Sequence, residues 1–483
     1  MEYQTQLLFV MIGYLSLLIL WGLYQGRKVK TDADYAIAGR NLPGWAAALS
    51  ERATGESSWA LLGLPGFAFA SGLTGIWTAI GCVAGIITAW ALIAWRLRDE
   101  AERYEVKTFT EYIAKKHRGS EKWIRIVASL TIVFFFFFYV GAQFLGGGKT
   151  LFTMFHIDPK IGMLITAAVI VPYTVYGGFR SVVYTDVIQA LVMITALIVG
   201  PIVGVIALSN RMDVFAHSIP QALQLAGPKY HTLTSAASGF SLGVVIMGGL
   251  SWFFGYLGGQ PQLSMRFMAI RDAKNAKTGR NIGIIWTVIA YIGALSIGWI
   301  GIALFGPQGL QDPEYVMPRV MLALFPPVIA AILITGAIAA MISTADSLLI
   351  LSSTELSENI LKSNRGAEKS GNDLVRSRVA TAVLAVIALV VAYLSPSKLI
   401  YTLVGYVWAG IGGTFSIVIL FTLFWKRYSG RAVLVTIITG MLFTIIWIST
   451  GMEEVITARI MTFLVAGLVA VVSTFLFASL ESR

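Results

Sequence analysis

Long stretches without a charged side chain recur along the whole sequence, and this feature constrains the fold more than any other. A helix that crosses a bilayer needs about 20 largely apolar residues to span roughly 30 Å of hydrocarbon. The chain is therefore predicted to cross a membrane many times. Twelve charge-free intervals, of 19 to 39 residues each, lie at 3–26, 57–95, 126–148, 161–179, 187–210, 230–265, 281–311, 320–345, 379–397, 399–425, 432–452 and 460–480.

We predict thirteen spans, because a Gly/Ser turn at Ala70–Gly75 divides the interval 57–95 between two helices. They lie at about 5–26, 43–70, 74–96, 123–153, 160–178, 182–209, 238–263, 280–306, 319–355, 377–395, 398–425, 431–449 and 458–480. With the amino terminus outside, 28 of the 36 Lys and Arg residues fall in inside loops, 7 fall outside and Arg52 lies within a span. We expect a multi-pass protein of the cell inner (plasma) membrane, with a cytoplasmic carboxyl terminus.

The composition excludes several other classes of protein. Apolar residues make up 57% of the chain and charged residues 13%, whereas a soluble domain has about 25% charged residues. A soluble enzyme, a disordered chain and a coiled coil are therefore excluded. The net charge of +11 comes from basic residues beside membrane spans, which indicates orientation and lipid contact rather than nucleic-acid binding. Cys82, the single cysteine, allows neither an intrachain disulfide nor a Cys-based metal cluster.

Two predicted spans contain residues that interrupt a membrane helix. The second span carries Glu51, Arg52 and Glu56 at its centre, and the seventh contains a glycine-rich segment that ends at Gln260-Pro261. Interrupted helices at corresponding places in two halves indicate an inverted-repeat transporter with a substrate site at the midplane. Close packing of helices is the alternative reason for the glycines of the seventh span.

A third polar cluster lies in the ninth span. Ser343, Asp346 and Ser347 stand three and four residues apart, so one helix face presents two hydroxyls and a carboxylate. Such oxygen atoms suit a hard cation. Hydrogen bonds to carbonyls one turn back would explain the hydroxyls but not Asp346. Asp186, near the start of the sixth span, is either a helix N-cap or a second carboxylate that faces the same region.

Several motifs together carry a resemblance to a known family. They are Ala38-Gly39-Arg40-Asn41-Leu42, the segments 48–50 and 59–66, Tyr176-Gly177-Gly178-Phe179, the segment 185–189, Gly255-Tyr256, Gln260-Pro261, Arg266-Phe267-Met268, the segment 341–347 and Ser352-Ser353. In these residues, and over most of its length, the chain resembles the sodium/solute symporter family, and within it the sodium/proline symporter branch.

The resemblance implies an all-α integral membrane protein of about 13 transmembrane helices, with a five-plus-five inverted-repeat core of the LeuT type. In this sequence the single transport domain 1–483 would consist of a leading helix at 5–26, a first repeat at 43–209, a second repeat at 238–425 and two trailing helices at 431–480.

The resemblance also implies binding residues. The sodium site would use the backbone carbonyls of Ala53, Glu56 and Ala340 and the side chains of Ser343 and Thr344. A second cation site would comprise Asp186, Asp346 and Ser347, together with Ser343. Substrate contacts would be Ser57, Trp252, Tyr256, Pro261, Tyr139 and Gln143.

This sequence departs from the proline-transporter pattern in two places. Gly55-Glu56 stands where the pattern has Asp-Met, so the carboxylate lies one position later. Gly258-Gly259-Gln260-Pro261 has one glycine more than the pattern, which would reshape the pocket.

We therefore expect sodium-coupled symport of a small organic solute, foremost proline or a related amino acid, by alternating access. Sodium would be the coupling ion, with no other cofactor; the partners would be the solute, sodium and membrane lipid, with no nucleic acid and no obligatory protein partner. The alternatives are proton coupling through Glu56 or Asp346, another substrate (a different amino acid, a carboxylate or a sugar), and a membrane solute sensor. Enzymatic activity is not expected, because Gly148-Lys149-Thr150 lacks the first glycine of a phosphate loop and four histidines form no His-Glu-x-x-His motif.

Overall fold

The computed structural model describes residues 2–29, 37–361, 373–395 and 397–481. Within these ranges the protein is built from helices, and the one isolated β-bridge pairs Leu42 with Ile270. Ten of the described helical segments are long and apolar enough to cross a membrane, and two shorter apolar helices accompany them. The prediction of an all-helical membrane protein is confirmed.

The helices are numbered in chain order. Their bounds are α1 Glu2–Gly26, α2 Gly44–Ser58, α3 Leu64–Ser71, α4 Gly75–Thr88, α5 Ala94–Arg103, α6 Phe109–Lys116, α7 Glu121–Phe155, α8 Pro159–Asn210, α9 Ile219–Ala226, α10 Pro228–His231, α11 Phe240–Leu250, α12 Trp252–Gly255, α13 Pro261–Met268, α14 Ala273–Phe305, α15 Val316–Leu324, α16 Pro327–Leu356, α17 Asp373–Leu394, α18 Ile400–Val407, α19 Thr414–Phe424, α20 Gly430–Ser449 and α21 Ala458–Glu481. Short π-helical turns at 59–63, 89–93 and 408–413 join α2 to α3, α4 to α5 and α18 to α19.

Both helix breaks expected from the sequence are present. The first lies at Ser57, whose φ of 51° and ψ of −167° interrupt the helical path between α2 and α3. The second lies between α12, which ends at Gly255, and α13, which begins at Pro261. A third break, at Gly178 within α8, separates the predicted fifth and sixth spans; its φ of 63° favours glycine. We call α2 with α3 the first broken helix, and α11 to α13 the second broken helix.

The ninth span begins later than predicted. Residues 319–324 belong to α15, and α16 starts anew at Pro327. Pro326-Pro327 cannot continue the preceding helix, because proline lacks the backbone N–H and disfavours helical geometry in the residue before it.

The helix α16 lies at the centre of the molecule. Every side chain from Leu333 to Glu355 is buried, whereas α17, α20 and α21 expose many large apolar side chains. Exposed apolar surface of this extent on long helices faces lipid. The outer helices therefore surround α16 and the two broken helices, where the polar residues of the interior are concentrated.

Candidate functional site

The first break changes the backbone hydrogen bonding at the middle of the molecule. Ser57 leaves helical geometry, and the Trp59 N–H, at the start of the following helical segment, donates to the carbonyl oxygen of Glu56. Gln143 Oε1 accepts a hydrogen bond from the Ser58 N–H at 3.0 Å, and Ser57 Oγ accepts one from the Trp59 N–H at 3.1 Å. The break thus presents the positive end of a half-helix to the interior.

Hydroxyl groups of α16 face the first broken helix one turn before this break. Thr344 Oγ1 donates to the carbonyl oxygen of Thr54 at 3.0 Å, while Thr54 Oγ1 lies 3.5 Å from Ser343 Oγ and 3.1 Å from Ser347 Oγ. All four side chains are buried. Ala53 and Ala340, whose carbonyls were expected to bind sodium, are also fully buried on the same two helices. The two helices therefore bring buried oxygen atoms together as a cation site requires.

Asp186 lies in this region and forms an ion pair. It lies eight residues beyond the break in α8, inside the helix, so the alternative interpretation of Asp186 as a helix N-cap is wrong. Its Oδ2 accepts hydrogen bonds from Ser50 Oγ at 2.5 Å and from Arg266 Nη2 at 3.1 Å. Arg266 was counted among the loop charges in the sequence analysis, and that assignment was wrong: its side chain is buried inside the helix bundle.

The charges in the middle of α2 are balanced within that helix. Arg52 bonds both carboxylate oxygens of Glu51 and approaches Glu56 Oε1 at 3.0 Å. Trp90 Nε1 donates to Glu51 and Arg52 also donates to Thr287, so two neighbouring helices support the pair. Three buried ionisable groups therefore form one hydrogen-bonded network.

Aromatic side chains fill the space between the two broken helices. Trp59 stacks on Trp252 with ring centroids 4.3 Å apart, and the edge of Tyr401 meets both rings. Trp408 contacts Tyr139, Trp252 and Tyr256. We call this group the aromatic cluster; its members are Trp59, Tyr139, Trp252, Tyr256, Tyr401 and Trp408.

The second break packs closely against the π-helical turn at 408–413 and the start of α19. A Cβ atom at Gly259 would lie 2.3 Å from the backbone nitrogen of Ser416, and one at Gly255 would lie 2.3 Å from the Trp408 ring. These glycines are therefore needed for close approach. Pro261 begins α13 on the far side of the break, where a first helical position suits proline.

Most of the residues expected from the sequence lie along the two broken helices and α16. The expected substrate residues that surround the first break or belong to the aromatic cluster are Ser57, Trp252, Tyr256, Tyr139 and Gln143. Asp346, expected in the second cation site, is buried in α16. The sequence analysis did not identify Thr54, Trp59, Tyr401, Trp408 or Arg266 as site residues. Trp59, which lies two residues beyond the break at Ser57, was the one aromatic member that the sequence pattern could have indicated.

Two broken helices beside buried oxygen atoms and an aromatic cluster indicate a secondary transporter with the LeuT fold. The model of the "Sodium:solute symporter family" matches residues 35–440. The chain belongs to the sodium:solute symporter family, whose members are transporters and not enzymes.

Curated relatives and a solved structure agree with this assignment. The osmoregulated proline transporter OpuE of Bacillus subtilis is 34% identical over 91% of this chain and 88% of its own length. The high-affinity proline transporter PutP of the same organism is 33% identical over 90% of this chain and 91% of its own length. The sodium/proline symporter of Staphylococcus aureus is 32% identical over 91% of this chain and 86% of its own.

Among solved structures, a substrate-bound, outward-open Na⁺-coupled sialic acid symporter superimposes with a TM-score of 0.80 at 19% identity, covering 98% of both chains. The nucleobase–cation symporter Mhp1 superimposes with a TM-score of 0.58 at 13% identity, covering 91% of this chain and 95% of its own. These two likenesses establish the fold.

Proposed function

We propose that this protein is a sodium-coupled symporter of proline or a closely related small amino acid that works by alternating access. The observation that carries the proposal is the contact between the first broken helix and the hydroxyls of α16. Family membership and the proline-transporting relatives support the choice of ion and substrate.

Sodium would bind where α2 meets α16. Carbonyl oxygens of Ala53, Glu56 and Ala340 and the hydroxyls of Ser343 and Thr344 supply the hard, neutral oxygen ligands that an alkali cation accepts in place of water. Because these ligands come from two helices, a bound ion favours the arrangement in which the helices are in contact. Coupling then follows from the different sodium affinity of the two conformations.

The amino-acid substrate would bind between the first break and the aromatic cluster. Its carboxylate would meet the half-helix that begins at Ser58, where the Ser58 N–H and the dipole favour an anion. Gln143 Oε1 now accepts from that N–H and would turn to the ligand instead. The pyrrolidine ring would lie against Trp252 and Tyr256, which offer apolar faces and a hydroxyl.

A tenfold sodium gradient and a potential of 100 mV together supply about 3.7 kcal/mol per ion, which supports roughly 500-fold accumulation of a solute. We place the protein in the plasma membrane with its amino terminus outside, as the basic loops indicate.

The test is uptake by purified protein in proteoliposomes, with sodium and proton gradients imposed separately. A panel of radiolabelled proline, another small amino acid, a monocarboxylate and a sugar identifies the substrate class. We expect proline uptake driven by the inward sodium gradient alone. Uptake driven only by the proton gradient would reject sodium coupling, and uptake of the sugar or carboxylate in place of proline would reject the substrate assignment.

A further inference from the structure

A long groove in the lipid-facing surface lies between α7 and α17. Its volume is about 1030 Å³, which matches the largest small-molecule pockets. Phe134 and Phe137 of α7 form one wall, and Val379 and Val383 of α17 form the other. Both valine side chains are more than half exposed. A groove with apolar walls at bilayer depth is filled by hydrocarbon, because water there would lose its hydrogen bonds.

The groove has the length of one membrane leaflet. On α17 its lining extends from Arg376 to Ile387, which at 1.5 Å per residue is about 16 Å. Half of the roughly 30 Å of hydrocarbon in a bilayer is about 15 Å. A transmembrane helix of a second copy of the chain would need a contact about twice as long, whereas an acyl chain of one leaflet fits this length. The length of the groove therefore favours a lipid as its occupant.

One end of the groove lies at the level of the lipid headgroups. Leu356, the last residue of α16, and Arg376, in the first turn of α17, both line this end, and the basic loops place it on the cytoplasmic side. On α7, Trp123 stands seven residues before the lining residue Leu130 and so on the same helix face, and it is 61% exposed. Exposed tryptophan is typical of the membrane–water interface. The groove thus begins at the cytoplasmic interface and ends near the midplane.

Arg376 gives the cytoplasmic end of the groove a positive charge. Among the described residues that line the groove, it alone is charged. Arg376 also interacts within the protein, and a guanidinium with five N–H donors can serve a phosphate oxygen beside such a partner. Its apolar stem can lie along the groove while the charged group reaches the headgroups. Anionic lipids of the cytoplasmic leaflet are the matching partners.

We propose that the groove binds one anionic phospholipid of the cytoplasmic leaflet, with its acyl chain between α7 and α17 and its phosphate beside Arg376. Phe137 lies two residues before Tyr139 of the aromatic cluster, so the lipid would contact the outer face of a helix whose inner face lines the proposed substrate pocket. The inference goes beyond the proposed transport, since it depends on neither the coupling ion nor the solute.

The test is native mass spectrometry of the purified full chain in mild detergent, titrated with phosphatidylglycerol or with phosphatidylcholine of the same acyl chains. We expect the first phosphatidylglycerol to bind wild type about fivefold more tightly than phosphatidylcholine, which is the preference that one arginine near an anionic headgroup supplies. Val383→Trp fills the groove and should remove this tight binding. Arg376→Gln should still bind lipid but lose the preference for phosphatidylglycerol.

Two variants serve as matched controls. Val390→Trp alters a valine of similar exposure on α17, beyond the end of the groove. Arg427→Gln removes an exposed arginine from the connection between α19 and α20. Both variants should bind the first phosphatidylglycerol as tightly as wild type does.

Equal affinities of wild type for the two lipids would overturn the inference, and so would an unchanged preference in Val383→Trp. A wild-type dimer that Val383→Trp dissociates would assign the groove to a second copy of the chain and overturn it as well. Where Val383→Trp fails to fold, the comparison of wild type with Arg376→Gln decides, because an unchanged preference without the arginine contradicts the site. Sodium-driven proline uptake by the same variants reports separately on the proposed function.

Discussion

Buried hydroxyl groups at the contact between α2 and α16 are the groups on which the proposed sodium coupling depends. Hydroxyl contacts link the two helices and involve Thr54, Ser343, Thr344 and Ser347. A hydroxyl that donates only to a carbonyl of its own helix satisfies its own hydrogen bond and links no other helix. Ser353, farther along α16, is of this second kind, since it donates to the carbonyl of Ile350.

Replacing Thr344 or Ser343 by alanine removes one oxygen ligand from the proposed sodium site. We expect the sodium concentration for half-maximal proline uptake to rise at least tenfold, which corresponds to about 1.4 kcal/mol. Ser353→Ala should leave it unchanged. Sodium titrations of initial uptake rate in proteoliposomes make the comparison, and an unaltered sodium dependence in both variants would place the ion elsewhere.

Trp252→Ala removes the ring that stacks on Trp59 in the aromatic cluster. We expect the half-saturating proline concentration to rise more than tenfold while the sodium dependence at saturating proline changes less, since the proposed role of the ring is contact with the substrate and not with the ion. Trp447→Ala is the control, because Trp447 lies on the peripheral helix α20 and bonds to Ile456. Equal proline affinities in wild type and Trp252→Ala would contradict the location of the pocket.

At the scale of the helices, the second break depends on close contacts that only glycine allows. Gly259 in the second break approaches the backbone of Ser416, whereas Gly248 in α11 has nothing within 4 Å of the position of a Cβ atom. The same type of residue therefore has a structural role at one position and none at the other.

Gly259→Ala should lower the midpoint of thermal unfolding of the purified protein, because its Cβ would lie far inside contact distance of a backbone atom that cannot easily move. Gly248→Ala should leave the midpoint within a degree or two of wild type. Scanning fluorimetry in detergent measures both. If the two variants unfold at the same temperature, the close packing of the second break against α19 is not important for stability.

A buried histidine follows α6 in the connection to α7 and makes the stability of the fold depend on pH. Burial, with a smaller contribution from Lys116, lowers the pKa of His117 from 6.5 to about 4. The unfolded chain takes up a proton at about pH 6.5 and the folded protein does not, so stability is full above pH 6.5 and falls as the pH drops from 6.5 toward 4.

Over that pH window we expect the free energy of unfolding of wild type to fall by up to about 1.4 kcal/mol per pH unit. The thermal unfolding midpoint should fall with it. His117→Gln should flatten this part of the profile, because glutamine keeps a polar contact for Thr422 without titrating. His231→Gln, at an exposed position, serves as the control. A wild-type profile that is flat from pH 6.5 to 4 would contradict the assignment.

The sequence predicted the helix breaks because glycine, proline and charge stand out in apolar segments. It did not predict the position of Arg266. This residue lies five positions beyond Pro261, where the hydropathy indicates a loop, and its burial depends on Asp186, which is 80 residues away in the chain. The aromatic cluster was predicted only in part for the same reason: Tyr401 and Trp408 join it through tertiary packing that no local pattern encodes.

At the scale of the whole molecule, charged residues are divided between the rim and the interior. Among the described residues most basic side chains lie in the connections or near helix ends, yet Arg52, Arg266 and Lys149 are buried and paired with carboxylates. Lys149 binds Glu314, which also accepts hydrogen bonds from the first two amides of α18. The interior thus contains several neutralised pairs, and the proposed sodium site between α2 and α16 is formed by neutral oxygens.

The central claim, that sodium drives solute uptake, is tested most directly by the steady-state accumulation of proline in proteoliposomes as the sodium gradient is varied at zero membrane potential. Each tenfold increase in the sodium gradient should raise the accumulation ratio by a factor of ten for every coupled ion, and a proton gradient should have no effect. Accumulation that ignores the sodium gradient would contradict the account as a whole.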